Sequence, residues 1–297
     1  MSFDIAVRDL TVRYGRTTAL DGVSFDLGAG TILGLLGRNG SGKTTLLSVL
    51  AAYRRASGGS VLVDGEDPWE NARVMAGTCL VRESGDVVET ACRHVLRYAA
   101  AARPQWDADL ADRLVDRFEI PLRKKPTELS RGKRSALGVV VGLASRAPLT
   151  MFDEAYLGLD APSRYLFYDE LLADYAAHPR TIILSSHLIE EVERLFERVL
   201  ILDRGRVLVD DDADTLRSRG MSVTGPADAV EAFTAHRTVL GRRSLGRTAE
   251  ATVLDVAPSP DADPALAADR QARDLGLDVG PVPLQDLFVH LTRGDQR

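Results

Sequence analysis

Residues 32–50 read ILGLLGRNGSGKTTLLSVL, and this stretch decides the fold. Ile32 to Leu36 is a short apolar run with the length of a buried strand. Glycines at positions 37, 40 and 42 then interrupt the pattern, and Thr44 to Leu50 returns to apolar residues at helical spacing. The stretch therefore predicts a strand, a tight loop and a helix, in that order.

The loop between this strand and helix has the composition of a phosphate-binding loop. Its glycines allow backbone conformations closed to other residues and bring successive N–H groups, with the positive helix N-terminus, towards a phosphate chain. In such a P-loop Lys43 reaches the β- and γ-phosphates, and the Thr44 hydroxyl helps to hold Mg²⁺. Chance produces this pattern in roughly one chain in a hundred of this length. The predicted ATP contacts are Gly37, Arg38, Asn39, Gly40, Ser41, Gly42, Lys43, Thr44 and Thr45.

A second apolar run, LTMFDE at Leu149 to Glu154, ends in two adjacent carboxylates. Asp153 is placed to coordinate Mg²⁺ directly or through water, and Glu154 to polarise an attacking water. Two solvated acids at a strand end are common, but a P-loop requires a metal carboxylate. The two motifs together predict Mg²⁺-dependent ATP hydrolysis.

Two further residues are weaker candidates when taken alone. His187 follows the apolar run Thr181 to Leu184, at the end of a strand where ligands of open α/β folds gather, and from there it can contact a γ-phosphate. A helix residue without a ligand is the simpler interpretation. Tyr14 ends the first predicted strand and can stack on an adenine ring, although strand tyrosines usually only cap a core.

Composition and length set the class of protein. The chain has 297 residues, 45% hydrophobic and 27% charged, which predicts a soluble globular protein with one large domain and a smaller appendage. The net charge of −6 lacks the positive excess that is typical of nucleic-acid-binding proteins, so no nucleic-acid partner is expected. Two cysteines, Cys79 and Cys92, suit a reducing cytoplasm. Neither a leader segment nor an apolar run of membrane-spanning length is expected.

Hydrophobic periodicity predicts an α/β fold in several parts. Residues 3–13 and 19–27 have the pattern of antiparallel strands, and residues from about 85 to 146 have helical spacing, with Val88 and Cys92 at its start. Buried parallel strands are predicted at Leu149 to Phe152, Thr181 to Leu184 and Val199 to Leu202.

The composition changes after about residue 220, towards Ala, Arg, Asp, Gly and Pro. A loop is predicted at Ala257 to Pro264, followed by a terminal helix in which Pro283 lies early and Leu284, Leu287, Phe288 and Leu291 share one face. We expect an ATPase domain at 1–219, with its helical subdomain at about 85–146, and a small C-terminal α+β extension at 220–297.

With these motifs, the segment ELSRGKRSALGVVVGLASRAP, Glu128 to Pro148, resembles the ATP-binding cassette (ABC) family over residues 3 to about 215. In that family an LSGGQ-like signature at a helix N-terminus is presented to ATP on the P-loop of a second subunit. The resemblance therefore implies a head-to-tail dimer of ATP-binding subunits. The corresponding residues here are Leu129, Ser130, Arg131, Gly132 and Lys133.

The resemblance also assigns roles to single residues. Tyr14 corresponds to the adenine-stacking aromatic and Asp153 to the Mg²⁺ carboxylate. Glu154 corresponds to the catalytic base, and His187 to the switch histidine. Asp160 ends LGLD, the D-loop that crosses the dimer in this family.

Several positions depart from the family pattern. Arg131 and Lys133 replace the first glycine and the glutamine of the signature, and Glu83 stands about where the Q-loop glutamine is expected. Ala155 replaces the usual proline after the catalytic glutamate. These changes leave open a degenerate or regulatory cassette within a heterodimer. The residues that predict a competent site are retained: Lys43, Asp153, Glu154 and His187.

A single cassette of this kind resembles the energising subunit of a bacterial transporter. The implied partners are a second ATP-binding subunit, in a homodimer or heterodimer, and an integral membrane subunit that would hold the chain on the cytoplasmic face of the cell membrane. The segment LQDLFVHLT, 284–292, is similar to the terminal helix of single-cassette exporter subunits and mildly favours export, although packing on its own domain explains it equally well.

Other classes of P-loop protein fit less well. An ABC ATPase acting on DNA or ribosomes usually carries a coiled coil, a zinc module or a second cassette, and the sequence contains none of these. A GTPase requires an NKxD motif, and the chain's asparagines are Asn39 and Asn71. The cargo has no signature here because the membrane subunit selects it.

Overall fold

The computed structural model describes residues 2–82, 89–187, 189, 193–218, 220–254 and 264–293. The chain divides into two compact units, one formed by Met1–His187 with Arg194–Asp210 and the other by Leu188–Glu193 with Asp211–Arg297. Each unit has its own hydrophobic core.

A six-stranded, mostly parallel sheet forms the centre of the first unit, in the order β5-β6-β7-β3-β8-β9. Its core strands are short apolar runs buried along their length, as expected for a sheet covered on both faces. Parallel register pairs Asp153 with Ser185 and Leu36 with Ser186, so three strands end at one edge. The strands are β3 Ile32–Leu36, β5 Thr78–Arg82, β6 Leu149–Asp153, β7 Thr181–Ser186, β8 Arg198–Asp203 and β9 Arg206–Asp212.

A three-stranded antiparallel sheet lies beside it, with β1 Ile5–Tyr14 between β2 Thr17–Leu27 and β4 Gly58–Val63. One face carries buried side chains that share a core with the parallel sheet and with helix α1 Lys43–Leu50. The predicted antiparallel layer, the mostly parallel sheet and the α/β class are confirmed.

Among the described residues, three helices of the first unit lie between β5 and β6 along the chain. The predicted helical region of about 85–146 contains three long helices, the first of which begins at Cys92. Its predicted starting residue, Val88, lies outside the described residues. The helices are α2 Ala72–Ala76, α3 Cys92–Ala102, α4 Ala108–Arg117, α5 Arg131–Ser145 and α6 Ala161–Ala177, with 3₁₀ turns at Pro126–Glu128 and Glu193–Leu195.

The second unit holds a four-stranded antiparallel sheet in the order β11-β12-β10-β13. Its chain order is strand, helix, strand, strand, helix, strand, which is the split βαβ arrangement of ferredoxin-like folds. One sheet face packs its small apolar residues against Val230, Phe233 and Ala272. The elements are α7 Ala213–Ser218, β10 Gly220–Pro226, α8 Ala227–Thr234, β11 Thr238–Leu245, β12 Thr248–Leu254, α9 Pro264–Asp274, β13 Asp278–Pro281 and α10 Leu284–Arg293.

Two details of the C-terminal prediction change. Pro264 is predicted to end a loop because of its neighbouring prolines, but in the structure it begins helix α9. Proline is tolerated there because the N–H of the first helical residue makes no hydrogen bond within the helix. Pro283 lies just before α10 rather than within it, and Leu284, Leu287 and Phe288 are buried. Among the residues with described positions, no helix is long and apolar enough to span a membrane.

Candidate functional site

The loop between β3 and α1 is shaped by glycines in backbone conformations that other residues rarely adopt. Gly40 and Gly42 have φ of 79° and 109°, which are left-handed conformations that favour glycine. A Cβ on Gly42 would lie 2.6 Å from Leu20 Cδ2 and 2.9 Å from the Ala19 carbonyl oxygen. The loop thus brings backbone N–H groups and the start of α1 to one place.

This loop forms one wall of a cavity of about 590 Å³. The opposite wall comes from the carboxyl ends of β5 and β6, whose register places Arg82 beside Asp153. The lining residues are Ala19, Asn39, Gly40, Ser41, Gly42, Lys43, Thr44, Thr45, Arg82, Asp153 and Glu154. The predicted P-loop and the two predicted carboxylates therefore meet in one cavity.

Lys43 is the central cation of the cavity and is only 5% exposed. Its Nζ donates to the carbonyl oxygens of Gly37 at 2.7 Å and Arg38 at 3.3 Å. The same Nζ lies 3.3 Å from Glu154 Oε1. The lysine thus links the loop to the carboxylate on the neighbouring strand end.

Ser185, on β7, holds both carboxylate residues. Its hydroxyl donates to Asp153 Oδ1 at 2.7 Å and accepts the Glu154 N–H at 3.0 Å. Glu154 has a φ of 53°, an uncommon conformation for a residue with a side chain. Strain of this kind collects at functional sites, where surrounding contacts maintain it.

His187 completes the group. Its Nδ1 lies 3.3 Å from Glu154 Oε1, so this glutamate oxygen is shared between the histidine and Lys43. His187 also lines a second cavity of about 520 Å³ on the other side of the P-loop, with Arg38, Asn39, Gly40, Ser41, Asp203 and Arg204. The predicted glutamate thus contacts both the predicted lysine and the predicted histidine.

Tyr14 and Glu83 are not brought into this group. Tyr14 is 46% exposed, does not line the P-loop cavity, and carries the Arg54 guanidinium 3.6 Å from its ring centroid. One ring face is therefore already covered. Glu83, the predicted Q-loop position, lies outside the described residues.

The signature residues lie at the start of α5, away from the P-loop cavity of their own chain. Ser130 is the N-cap of this helix and accepts the Lys133 N–H at 3.3 Å. The Lys133 ammonium donates to the Phe118 carbonyl at 2.6 Å, at the end of α4. The remaining signature residues flank Ser130: Leu129 is buried, Arg131 begins the helix, and Gly132 follows it.

The D-loop packs against this signature helix. A Cβ on Gly132 would lie 3.2 Å from the Gly158 carbonyl oxygen, so the two segments approach closely. Asp160, at the end of the loop, is the N-cap of α6 and accepts the Ser163 N–H at 3.0 Å. The side-chain and backbone hydrogen bonds of Ser163 lower the pKa of Asp160.

The sequence analysis missed two residues of the cavity region. Ser185 is remote from the carboxylates in sequence and reaches them through the pairing of β6 with β7. Arg82 lines the cavity, and its Nη2 donates to Ser48 Oγ at 3.4 Å. The sequence offered one signal for Arg82, which is that this cation directly precedes the predicted Q-loop position.

Comparisons with known proteins agree with this geometry. The family model for ABC transporters matches residues 20–157. The chain is 30% identical over 290 residues to a Nod factor export ATP-binding protein I of Paraburkholderia xenovorans, covering 94% of this chain and 93% of that protein. It is 29% identical to the daunorubicin resistance ATP-binding protein DrrA3 of Streptomyces coeruleorubidus, covering 99% of this chain and 97% of that protein.

A third relative and a solved structure cover less of the chain. The ABC transporter ATP-binding protein YtrB of Bacillus subtilis is 29% identical over 220 residues, covering 74% of this chain and 75% of that protein. A solved ATP-binding subunit of an ABC transporter superposes with a TM-score of 0.65 at 24% identity, covering 72% of this chain and 91% of that one, which shows the shared fold. The chain therefore belongs to the ABC transporter family, as an ATP-binding subunit that hydrolyses ATP to drive a transporter.

Proposed function

We propose that the chain is the Mg²⁺-dependent ATPase subunit of an exporter, acting through a separate membrane subunit on the cytoplasmic face of the membrane. The observation that carries the ATPase site is the contact of Glu154, which lines the P-loop cavity, with both Lys43 and His187. Export is supported by the two relatives that match nearly the whole chain, which are named for Nod factor export and daunorubicin resistance.

Thr44 and Asp153 are the proposed Mg²⁺ ligands. Both line the P-loop cavity, and their hydroxyl and carboxylate oxygens are the donor type that Mg²⁺ accepts. The Ser185 hydroxyl fixes the Asp153 carboxylate at 2.7 Å, which suits a metal ligand. When bound, the ion would neutralise charge on the ATP phosphates.

The remaining roles follow from the positions of the side chains. Lys43 binds the terminal phosphates, Glu154 accepts a proton from the attacking water, and His187 orients Glu154 through their 3.3 Å contact. Because Glu154 also contacts Lys43, a phosphate chain competes for the lysine and frees the carboxylate to act as base. Tyr14 is proposed to stack adenine on the ring face opposite Arg54.

A second ATP-binding subunit is proposed to complete the site. The signature residues lie outside their own P-loop cavity, which supports their use by a partner subunit. Ser130, at the N-terminus of the 15-residue helix α5, is suited to a γ-phosphate because helix N-termini attract anions. In this proposal residues 1–219 form the ATPase domain and 220–297 the C-terminal extension.

Replacing Glu154 with glutamine tests the proposed base. In the protein co-purified with its membrane subunit, we expect Glu154→Gln to lower ATP turnover by roughly 10²–10⁴-fold, because the amide cannot accept the proton. Binding of Mg²⁺-ATP should persist, since the amide keeps the size of the side chain. Glu231→Gln, on the C-terminal unit, is the matched control. Unchanged turnover in Glu154→Gln would exclude this role.

A further inference from the structure

A third cavity, of about 420 Å³, lies at the opposite end of the strands that carry the nucleotide site. Strands β6 and β7 begin just after Arg146 and Arg180, and their carboxyl ends hold Asp153 and Ser185. Five strand residues span roughly 16 Å, so the two sites are separate. The lining residues are Gln105, Arg146, Ala177, His178, Pro179 and Arg180.

Arg180 is the unusual member of this lining because it is only 2% exposed. Its Nη1 is 2.7 Å from Asp174 Oδ2 and donates to the His178 carbonyl at 3.3 Å. Its Nε and Nη2 are buried, and no acceptor for either is found among the described residues. A buried guanidinium with unmet donors is costly unless something accepts from them.

The two unpartnered nitrogens have a specific geometry. In arginine, Nε–H and the adjacent Nη2–H point in the same direction and form one edge of the planar guanidinium. Such an edge matches the two oxygens of a carboxylate or phosphate, which accept two parallel hydrogen bonds. The donor edge left by Arg180 is therefore that of a bidentate oxyanion site.

The nearby carboxylates do not accept a hydrogen bond from this edge of Arg180. Asp174 Oδ1 accepts from Nε of Arg146 at 3.1 Å and lies 3.0 Å from its Nη2. Asp174 Oδ2 is buried 2.7 Å from Arg180 Nη1 and has no hydrogen-bond partner among the described residues. Asp107 Oδ2 lies 2.7 Å from Arg146 Nη1, and its Oδ1 caps α4 through the Leu110 N–H. The two arginines and two aspartates balance in charge, yet the Arg180 edge receives no acceptor from them.

Neighbouring groups add positive rather than negative charge. Arg103 donates to the carbonyls of Met75 and Ala76 and lies close enough to interact with the Cys79 thiol. Burial raises the pKa of Cys79, so its sulfur stays neutral and supplies no counter-charge. The local excess of cations favours an anionic ligand.

We propose that this cavity binds a small oxyanion, either inorganic phosphate or a carboxylate, through Nε and Nη2 of Arg180. His178 and Gln105 lie at its exposed rim and provide further polar groups. The bound oxyanion would fasten the loop between α6 and β7 to the C-terminal end of α5, where Arg146 is the C-cap.

Thermal stability of the full chain tests the site. The Lys43→Ala background removes the main phosphate anchor of the P-loop, and sodium phosphate or sodium acetate is compared with sodium chloride at equal ionic strength. We expect Tm to rise by roughly 3–6 °C for each tenfold increase in oxyanion concentration above Kd. The two oxyanions identify which ligand is preferred. If neither raises Tm above the chloride series, the proposal is wrong.

Two variants localise the effect to Arg180. Arg180→Lys keeps the charge but lacks the two-donor edge, so it should lose the response; an undiminished response would contradict the proposal. Gln105→Glu covers the case in which Arg180→Lys does not fold. It places a carboxylate on the cavity lining and should raise Tm without oxyanion while weakening the oxyanion response. A Gln105→Glu chain with unchanged Tm and response would overturn the site.

Discussion

Ser185 connects the two carboxylates of the nucleotide site at the scale of single residues. Its hydroxyl is the donor to Asp153 and the acceptor for the Glu154 N–H, so one side chain sets the position of both. Asp153 and Ser185 are both buried, so bulk water would not replace their hydrogen bond if the serine hydroxyl were removed. The serine is therefore a positioning residue for the proposed metal ligand and base.

Ser185→Ala should lower both stability and turnover. The loss of a hydrogen bond to a buried carboxylate costs roughly 1.5–3 kcal/mol of unfolding free energy. We expect the Mg²⁺ concentration for half-maximal ATPase activity to rise several-fold, because Asp153 loses its orientation. Ser185→Thr retains the hydroxyl and should recover much of the activity. Equal Mg²⁺ dependence in Ser185→Ala and the parent would show that Asp153 needs no such support.

Arg82 adds a second cation to the P-loop cavity, beside Thr44 and Thr45. Its Nη2 contacts Ser48, and its guanidinium lies 4.9 Å from the Tyr53 ring centroid, so the side chain is held over α1. A cation at this place attracts the phosphate chain of ATP.

Arg82→Ala should raise the Kd for ATP by roughly 3–10-fold, with a smaller difference at high salt. Equilibrium titration with a fluorescent ATP analogue measures the effect. Arg8→Ala, which removes a surface pair with Asp26, is the control for loss of one arginine. An unchanged Kd in Arg82→Ala, or the same change in both variants, would exclude a phosphate contact by Arg82.

Local sequence was sufficient for some of these residues and insufficient for others. Lys43, Asp153 and Glu154 lie in short motifs whose strand and loop context is visible in the sequence. Ser185 and Arg82 reach the same place through strand register, in which Asp153 pairs with both Arg82 and Ser185. Register between strands separated by long stretches of chain depends on tertiary packing, so sequence patterns alone did not predict these neighbours.

At the scale of elements, Lys133 joins the signature helix α5 to α4. Its ammonium donates to the Phe118 carbonyl, where the last carbonyls of α4 lack helical partners, and lies 3.3 Å from Glu119 Oε2. The lysine that replaces the expected signature glutamine thus has a structural use within its own subunit.

Lys133→Gln restores the residue expected from the family pattern and should destabilise the chain by about 1 kcal/mol, because a neutral amide is a weaker partner for a helix C-terminus. ATP turnover should change by less than twofold, since the ammonium faces α4. Lys124→Gln, at an exposed position, is the control. A large gain in turnover without loss of stability would show that Lys133 acts at the nucleotide instead.

The strands of the two units differ in how well sequence predicts them. Those of the first unit are rich in Val, Ile and Leu, which favour strands and give clear apolar runs. Strand β12, TAEATVL, places two alanines and one valine at its core face, and alanine is depleted in strands, so the alternation gives a weak strand signal. Its burial depends on Phe233 and Val230 of α8, which fill the space that alanines leave. The C-terminal sheet was therefore expected only as an α+β extension.

At the scale of the whole molecule, the described residues of the two units form separate cores that share no residues. Phe233 is fully buried in the smaller core, and its ring lies 3.9 Å from the Arg237 guanidinium. Leu10 is fully buried in the larger core. Because a domain unfolds cooperatively around its own core, the two units should unfold as separate transitions.

Phe233→Ala should lower the unfolding free energy of the C-terminal unit by roughly 3–5 kcal/mol, because the substitution leaves a cavity in its core. Only one calorimetric transition should therefore shift to a lower temperature. Leu10→Ala should lower the other transition by a comparable 2–5 kcal/mol. ATP binding, measured below both transitions, should persist in Phe233→Ala, since Lys43 and the P-loop belong to the first unit. A single transition that shifts in both variants would instead mean that the two units fold as one cooperative body.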